Sequence, residues 1–379
     1  MRLEIPVNVA PAYTAVVSPG GLALAGELVR RWLPPSALAV VVTSPRIRGY
    51  WGEALEAGLR AADLRYTFLV LPDGERSKNL AELARLAEAM VAAGADRDSL
   101  VIAFGGGVVG DVAGLLASLY MRGVALVQVP TTLLAMVDSS LGGKTGVNLG
   151  AGKNLVGTFH HPRAILADPQ VLTTLPPRQF RSGLAEAIKY GIIGAPKLFD
   201  FLETHAASLQ KLESEPLAQL IAACLEQKAA VVAADERESD RRRILNFGHT
   251  LGHALESATG YERYLHGEAV AWGMLAATCL AVHTGRLAEP EAARIRAAIL
   301  HLCGPLPPLR EPAAEVLRHA ASDKKSRAGQ LHFILPTTIG RVEIAAGIPN
   351  TAILAALEQT AAMQPPAETQ PENPAATPH

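Results

Sequence analysis

Short, uniformly apolar runs alternate with amphipathic stretches over the first part of the chain, and the alternation stops near Pro176. Residues 38–43, 67–71, 100–104, 125–129 and 164–167 are short apolar runs rich in β-branched residues, so they are expected as buried strands. Between them, 22–33, 51–62 and 79–93 repeat their apolar positions at helical spacing. Strands that alternate with helices predict a parallel sheet covered by helices. After Pro176-Pro177 amphipathic helices follow to about Ala320, and residues 330–344 interrupt them as two short strands around a turn at 337–340, placed to return the chain to a cleft. A last helix is expected over 351–363. The remaining residues, 364–379, are rich in Pro, Ala, Thr and Glu and lack the apolar surface that ordering needs. The expected fold class is therefore α/β, with a parallel-sheet domain over 1–176, a mainly helical domain over 177–363 and a disordered tail.

A chain of 379 residues exceeds what one core organises, which agrees with two domains meeting at a cleft. Apolar residues make up 49% and charged residues 19%, the balance of a packed globular enzyme, and the net charge of −1 excludes a general nucleic-acid-binding surface. Any anion must be held by locally placed cations and amides. Cys224, Cys279 and Cys303 are widely spaced among apolar neighbours, which reads as a reducing cytoplasm. Met1 leads into a β-like run without a signal-peptide pattern. The longest nearly apolar stretch, 269–282, is too short to span a bilayer and reads as a buried helix, so no membrane association is expected.

Chemistry enters where the third strand runs into GGGVVGDVAG. Gly105, Gly107 and Gly110 have the spacing that lets a backbone approach a pyrophosphate at a helix start, here a helix expected over 109–120. The common dinucleotide fold adds an acidic ribose contact roughly 20 residues on. Residues 124–130 carry no carboxylate, so PDGERSK, with Asp73, Glu75 and Lys78, becomes the candidate ribose reader. Further along, PTTLLAMVDSSLGGKTGVN sets Asp138 and Lys144 among hydroxyls and glycines, followed by GKN at Gly152, Lys153 and Asn154. A lysine beside bare amides suits a phosphate; the plainer alternative is a flexible surface loop.

Three later segments hold metal-ligand types: Glu186 in SGLAEAIKYG, His249 and His253 in NFGHTLGHALE, and His266 in HGEAV. His249 and His253 share a helix face, as zinc-binding pairs do, but Thr250 stands where the hydrolase motif needs its glutamate. Four candidates for a site that ordinarily takes three protein ligands leave open which three bind and which one faces substrate.

These segments, with YMRG at Tyr120 to Gly123 and DKK at Asp323 to Lys325, stand in an order that resembles the 3-dehydroquinate synthase family of sugar phosphate cyclases over roughly residues 70–335. Met136 stands where that family usually has glutamine, and Ser44-Pro45 where an aspartate often holds the adenosine. The resemblance implies a carbon–oxygen lyase of the shikimate route to chorismate and the aromatic amino acids. Its substrate would be a phosphorylated sugar acid, 3-deoxy-D-arabino-heptulosonate 7-phosphate, converted to 3-dehydroquinate and phosphate by transient oxidation with NAD, phosphate elimination, reduction, ring opening and aldol closure. It further implies a zinc or cobalt ion and a homodimer.

Carried onto this sequence, the resemblance makes Glu186, His249 and His266 the metal ligands. Lys144, Asn154, Asn246, His253 and one of Lys324 and Lys325 would hold the substrate phosphate, with Arg122 reaching it from a second subunit. Lys228 and Arg242 suit the carboxylate; Asp138, Lys189 and Glu238 suit the hydroxyls and the metal surroundings. The NAD contacts would be Asp73, Gly74, Glu75, Arg76, Ser77, Lys78, Gly106, Gly107, Val108, Val109, Gly110, Asp111, Thr131, Thr132, Lys144, Lys153, Val171, Leu172, Thr173 and Thr174. Three other readings compete: an amino-dehydroquinate or 2-deoxy-scyllo-inosose synthase, an NAD- and metal-dependent polyol dehydrogenase, and an inactive NAD-binding sensor. Arg242 and Lys228 make little sense for a substrate without a carboxylate, and a polyol dehydrogenase has no need of Lys144, Asn154 and His253 around a phosphate.

Overall fold

The uniformly apolar runs become the middle of one sheet in a computed structural model that describes residues 1–236, 241–323 and 331–363. The chain opens with β1 (Leu3–Val7), β2 (Tyr13–Val17), α1 (Ala25–Arg30), β3 (Leu38–Thr43), α2 (Pro45–Ala61), β4 (Arg65–Val70) and α3 (Leu80–Ala92). It continues through β5 (Leu100–Gly105), α4 (Gly107–Leu119), β6 (Ala125–Pro130), β7 (Lys144–Leu149), β8 (Gly152–Phe159) and β9 (Ala164–Ala167). Then come α5 (Pro177–Ile193), α6 (Pro196–Gln210), α7 (Ser214–Ala234), α8 (His249–Ala258), α9 (His266–His283), α10 (Glu289–Cys303) and α11 (Ala313–Asp323). The hairpin β10 (His332–Thr338) and β11 (Arg341–Ala346) and the helix α12 (Asn350–Ala361) complete the described chain.

The seven-stranded sheet has the order β1-β2-β9-β6-β5-β3-β4. All neighbours are parallel except β1 and β2, an antiparallel edge pair. In β3, Ala39 and Val41 face a core shared with Leu55 and Leu59 of α2, whereas Val40 and Val42 face Leu86 of α3 and Val112 of α4. Helices on both faces explain why the strand sequences are apolar throughout rather than alternating. The chain leaves β3 outward to β4, then α3 returns it to β5 on the other side of β3. This reversal opens a crevice beyond the strand ends, the place where open parallel sheets bind ligands.

The expected strands and helices recur within a few residues, save that the helix expected over 51–62 already begins at Pro45, capped by Ser44, and there are three larger differences. Residues 22–33 are not one helix but a 3-10 turn at Gly21–Leu24 followed by the short α1, which ends ahead of Pro34-Pro35. The polar stretch after Gly143 is not a loop but the hairpin β7/β8, where Gly146 lies opposite Gly157 so closely that a side chain at 157 would overlap the Thr145 carbonyl. Third, β1 and β2 add an antiparallel edge to the parallel sheet.

The run at 269–282 lies in α9, buried from Gly267 to Ala281. Helix α7 is long and apolar enough to cross a membrane by length and composition, and here packs against β1, β2 and α6. Its Leu217, Ile221 and Leu225 share one core with Val16 of β2 and Leu209 of α6. Hairpin β10/β11 returns to the back of α8, where Thr250 Oγ1 donates to the His332 carbonyl at 3.1 Å.

Candidate functional site

Three helices of the second half meet closely enough to bring distant ligand types together. A Cβ at Gly267 would overlap the Ser182 carbonyl, so glycine lets the start of α9 press on α5, and the Gly267 amide donates to Ser182 Oγ at 3.0 Å. A Cβ at Gly273 would overlap the Gly248 carbonyl, so α9 also lies directly on α8. His266 at the head of α9 thereby comes beside Glu186 of α5 and His249 at the head of α8.

Glu186 is fully buried, and its Oε1 has no hydrogen-bond partner among the described residues. Nε2 of His249 stands 3.7 Å from that oxygen and Nε2 of His266 3.6 Å from it, beyond hydrogen-bond reach. A tetrahedral ion with bonds near 2.1 Å spaces its ligand atoms roughly 3.4 Å apart, so the three atoms are set for one cation. The outer nitrogens are committed elsewhere. His249 Nδ1 faces the Phe247 carbonyl at 3.1 Å, which can only accept, so the proton sits on Nδ1 and Nε2 keeps its lone pair. His266 Nδ1 lies 3.3 Å from Glu256 Oε2.

Electrostatics points the same way. Burial and the nearby Lys189 ammonium lower His249 to about 3, keeping it neutral. Burial disfavours charge on His266 as well, but Glu186 and Glu256 outweigh it and raise His266 to about 10. For Glu186, burial is outweighed by Lys189, which donates to Oε2, and the carboxyl falls to about 2. Each carboxylate of the cluster has an ammonium beside it, Glu186 with Lys189 and Glu256 with Lys153, which leaves Glu186 Oε1 as the oxygen turned to the two histidines. A second set, His253, Glu256 and His266, also has its donor atoms close together. It is the poorer site, because Glu256 Oε1 is engaged by Lys153 Nζ at 3.3 Å and Oε2 by His266 Nδ1.

Beneath the cluster runs a buried polar chain. Asp138 Oδ1 accepts from Tyr190 Oη at 2.5 Å and pairs with Lys228 Nζ at 2.6 Å; the same ammonium donates to the Asp138 carbonyl at 2.6 Å. Burial opposes the charge on Asp138, but Lys228 and Lys189 hold the carboxyl well below its ordinary range. Arg242, also buried, donates to the carbonyls of Glu236 and Gly142, while its Nε has no partner among the described residues.

A cavity of about 520 Å³ opens above this chain, lined by Asp138, Lys144, Asn154, Lys189, Lys228, Arg242, Asn246, His249, His253 and His266. The metal-ligand and substrate candidates of the sequence thus converge, apart from four. Glu238, Lys324 and Lys325 lie outside the described residues. Arg122 is exposed in the Tyr120–Arg122 turn, with φ of 70°, and is absent from the lining of its own cavity. A cavity of about 640 Å³ near Pro11, His161 and Arg163 collects none of the sequence candidates.

The dinucleotide candidates gather at the crevice of the sheet. Helix α4 begins at Gly107, two residues before the sequence expectation, so Gly107 as well as Gly110 lies inside it. Gly106, ahead of the helix, has Thr132 so near that a Cβ would meet its Cγ2 at 3.0 Å, and Thr131 N donates to the Gly105 carbonyl at 2.9 Å. Lys78 and Asp111 are paired at 2.5 Å, tying the loop after β4 to α4; Asn148 Nδ2 donates to Glu75 Oε1 at 2.7 Å, tying it to the hairpin. Thr174 accepts from Trp51 Nε1 at 2.8 Å. Val171 and Leu172 are core residues, so only their backbone is free to meet a ligand. Lys153 is set apart from the glycine turn, its ammonium on Glu256 and 4.3 Å from the centre of the Tyr261 ring.

Tyr190 and Glu256 had no role in the sequence reading. Each stands in a motif already noted, Tyr190 one residue past Lys189 and Glu256 three past His253 on one helix face. The spacing was visible; their partners on other helices were not.

An open, mainly parallel sheet whose glycine turn faces a helical half gives this chain the fold of solved sugar phosphate cyclases. The 2-epi-5-epi-valiolone synthase of Streptomyces hygroscopicus subsp. jinggangensis, solved with NAD+ and Zn2+ bound, superposes with a TM-score of 0.84 at 34% identity, covering 92% of this chain and 97% of that one. A 2-deoxy-scyllo-inosose synthase complexed with carbaglucose-6-phosphate, NAD+ and Co2+ gives a TM-score of 0.83 at 26% identity over 95% and 99%. Within that class, this chain belongs to the 3-dehydroquinate synthase family. The family's N-terminal model matches residues 68–182 and its C-terminal model residues 183–326. The 3-dehydroquinate synthase of Koribacter versatilis (strain Ellin345) is 47% identical over 94% of this chain and 97% of its own length.

Proposed function

We propose that the chain converts 3-deoxy-D-arabino-heptulosonate 7-phosphate to 3-dehydroquinate and phosphate, with NAD restored in each turnover and a zinc or cobalt ion held by Glu186, His249 and His266. The carrying observation is one cavity that sets this donor set beside Lys144, Lys228 and Arg242. Residues 1–176 would bind NAD at the crevice, residues 177–363 would hold metal and substrate, and the net reaction is that of a lyase. Three buried, unpaired cysteines support a cytoplasmic setting.

When bound, NAD supplies reversible hydride acceptance and the ion polarises substrate oxygens. The protein supplies position and charge. Arg242, held on two carbonyls and lining the cavity, would meet the carboxylate, and Lys228, fixed on Asp138, would support it. Lys144, Asn154, Asn246 and His253 line the part of the wall assigned to the phosphate, orienting it as substrate and stabilising it as leaving group. The buried cluster of Asp138, Tyr190 and Lys228 would form the hydroxyl-binding floor, with Lys189 on Glu186 beside it. Arg122 would complete the phosphate site from a second copy of the chain; it sits beside exposed Leu119 and Met121, part of an apolar surface suited to a homodimer interface.

Protein supplied with NAD+ and Zn2+ or Co2+ should release phosphate from the heptulosonate without net NADH, and should leave glucose 6-phosphate untouched. Steady NADH accumulation would replace this reading with a polyol dehydrogenase. Release from glucose 6-phosphate in place of the heptulosonate would replace it with an inosose-type cyclase.

A further inference from the structure

Glu256 is buried on α8, and both of its oxygens are used. Oε2 faces His266 Nδ1 at 3.3 Å, and Oε1 faces Lys153 Nζ at 3.3 Å. Lys153 belongs to β8, far in sequence from the helical half, and its ammonium also rests on the Tyr261 ring. Three elements are thus joined in a line: hairpin lysine, helix carboxylate, and the histidine whose other nitrogen points at Glu186. A carboxylate behind a ligand histidine fixes which nitrogen carries the proton, orients the ring and makes the free nitrogen more basic. A carboxylate with a lysine on its second oxygen is held in place and is less available as a ligand itself.

We infer that Glu256 is a positioning residue for the cation site, aiming His266 Nε2 at the space shared with Glu186 and His249, and that Lys153 holds Glu256 in that role. The inference rests on the metal assignment proposed above. Its consequence is that the hairpin bearing Lys144 and Asn154 is fastened to the metal centre through one ion pair, so hairpin order and metal affinity are linked.

The test measures Co2+ affinity against a chromogenic chelator, together with the visible absorption of the bound Co2+ and the thermal midpoint of the metal-free protein. Glu256→Gln should weaken Co2+ binding roughly 10- to 100-fold while keeping the band shape of the parent, since the ligands are unchanged. Lys153→Met should weaken it less, with the same bands. Unaltered affinity in Glu256→Gln would overturn the inference. So would complete loss of binding in Glu256→Gln alongside full binding in His249→Ala, because the ion would then sit in the His253, Glu256 and His266 set. Loss of binding in His249→Ala with parent-like affinity in Glu256→Gln would sink the positioning role and leave the metal assignment standing. A fall in thermal midpoint without a fall in affinity would show Glu256 to be merely structural and would equally overturn it.

Discussion

Asp138 shows how a single carboxylate is kept charged under a cavity. Burial alone would favour its neutral form, yet Lys228, Lys189 and the Tyr190 hydroxyl together hold its pKa well below the ordinary range. Its charged form therefore stabilises the fold above the unfolded carboxylate value, and that contribution is lost as pH falls through the depressed folded value. Tyr190→Phe removes one hydrogen bond to a charged acceptor and should cost about 1.5–3 kcal/mol at neutral pH. With the folded pKa moved up, the loss on acidification should begin in the same range as in the parent but finish at a higher pH. Urea denaturation from pH 7 to 2 reads both effects, and curves that overlie the parent's would remove Tyr190 from the network. At His253 the expectation is different: His253→Ala keeps the ion and loses turnover, whereas loss of the ion comparable to that in His249→Ala would return both histidines to the metal. The side chains legible in the sequence were those whose type is rarely bland, such as three histidines near a buried glutamate. Tyr190 and Glu256 were illegible because a tyrosine or glutamate on a helix face has no chemistry until its partner on another helix is known.

Helix placement converts those side chains into a site, and its control lies in small residues. Gly267 admits the Ser182 carbonyl against the head of α9, so any side chain there must separate α9 from α5. Gly267→Ala should cost about 1–3 kcal/mol through overpacking and, by moving His266 away from Glu186, should lower Co2+ affinity as well. Calorimetry and chelator competition test the two halves; a destabilised variant with parent affinity would show that the helix pair moves as one body. Strands β3, β5, β6 and β9 were readable because burial on both faces leaves a continuous apolar run. Hairpin β7/β8 was not, since its glycines, hydroxyls and lysines follow the needs of close backbone pairing and ligand contact and carry no alternation of apolar and polar positions. The same composition that hid the strand marked the segment as chemical.

At the scale of the whole molecule one surface is left unexplained by a single copy. Leu80, Val91, Leu119 and Met121 are 44–64% exposed and border a groove of about 560 Å³ that is lined mainly by apolar residues. Arg122, next to this groove, lies outside the lining of its own cavity, so if it serves the phosphate it must serve a neighbour's. A two-fold dimer makes both exchanges at once, each copy covering the other's apolar face and lending its arginine. The protein should therefore sediment as a dimer, and Leu119→Glu with Met121→Glu should give a monomer whose turnover falls as far as that of dimeric Arg122→Ala. Complementation separates lending from mere dimer stability. Arg122→Ala and His249→Ala proteins, each inactive alone, should recover roughly a quarter of parent activity when unfolded together and refolded, half of the dimers being mixed with one competent site each. That competent site combines an intact His249 with an Arg122 contributed from the other copy. No recovery from mixed dimers, with the dimer verified by sedimentation, would place the action of Arg122 within its own chain and leave the apolar face as an interface without a catalytic part.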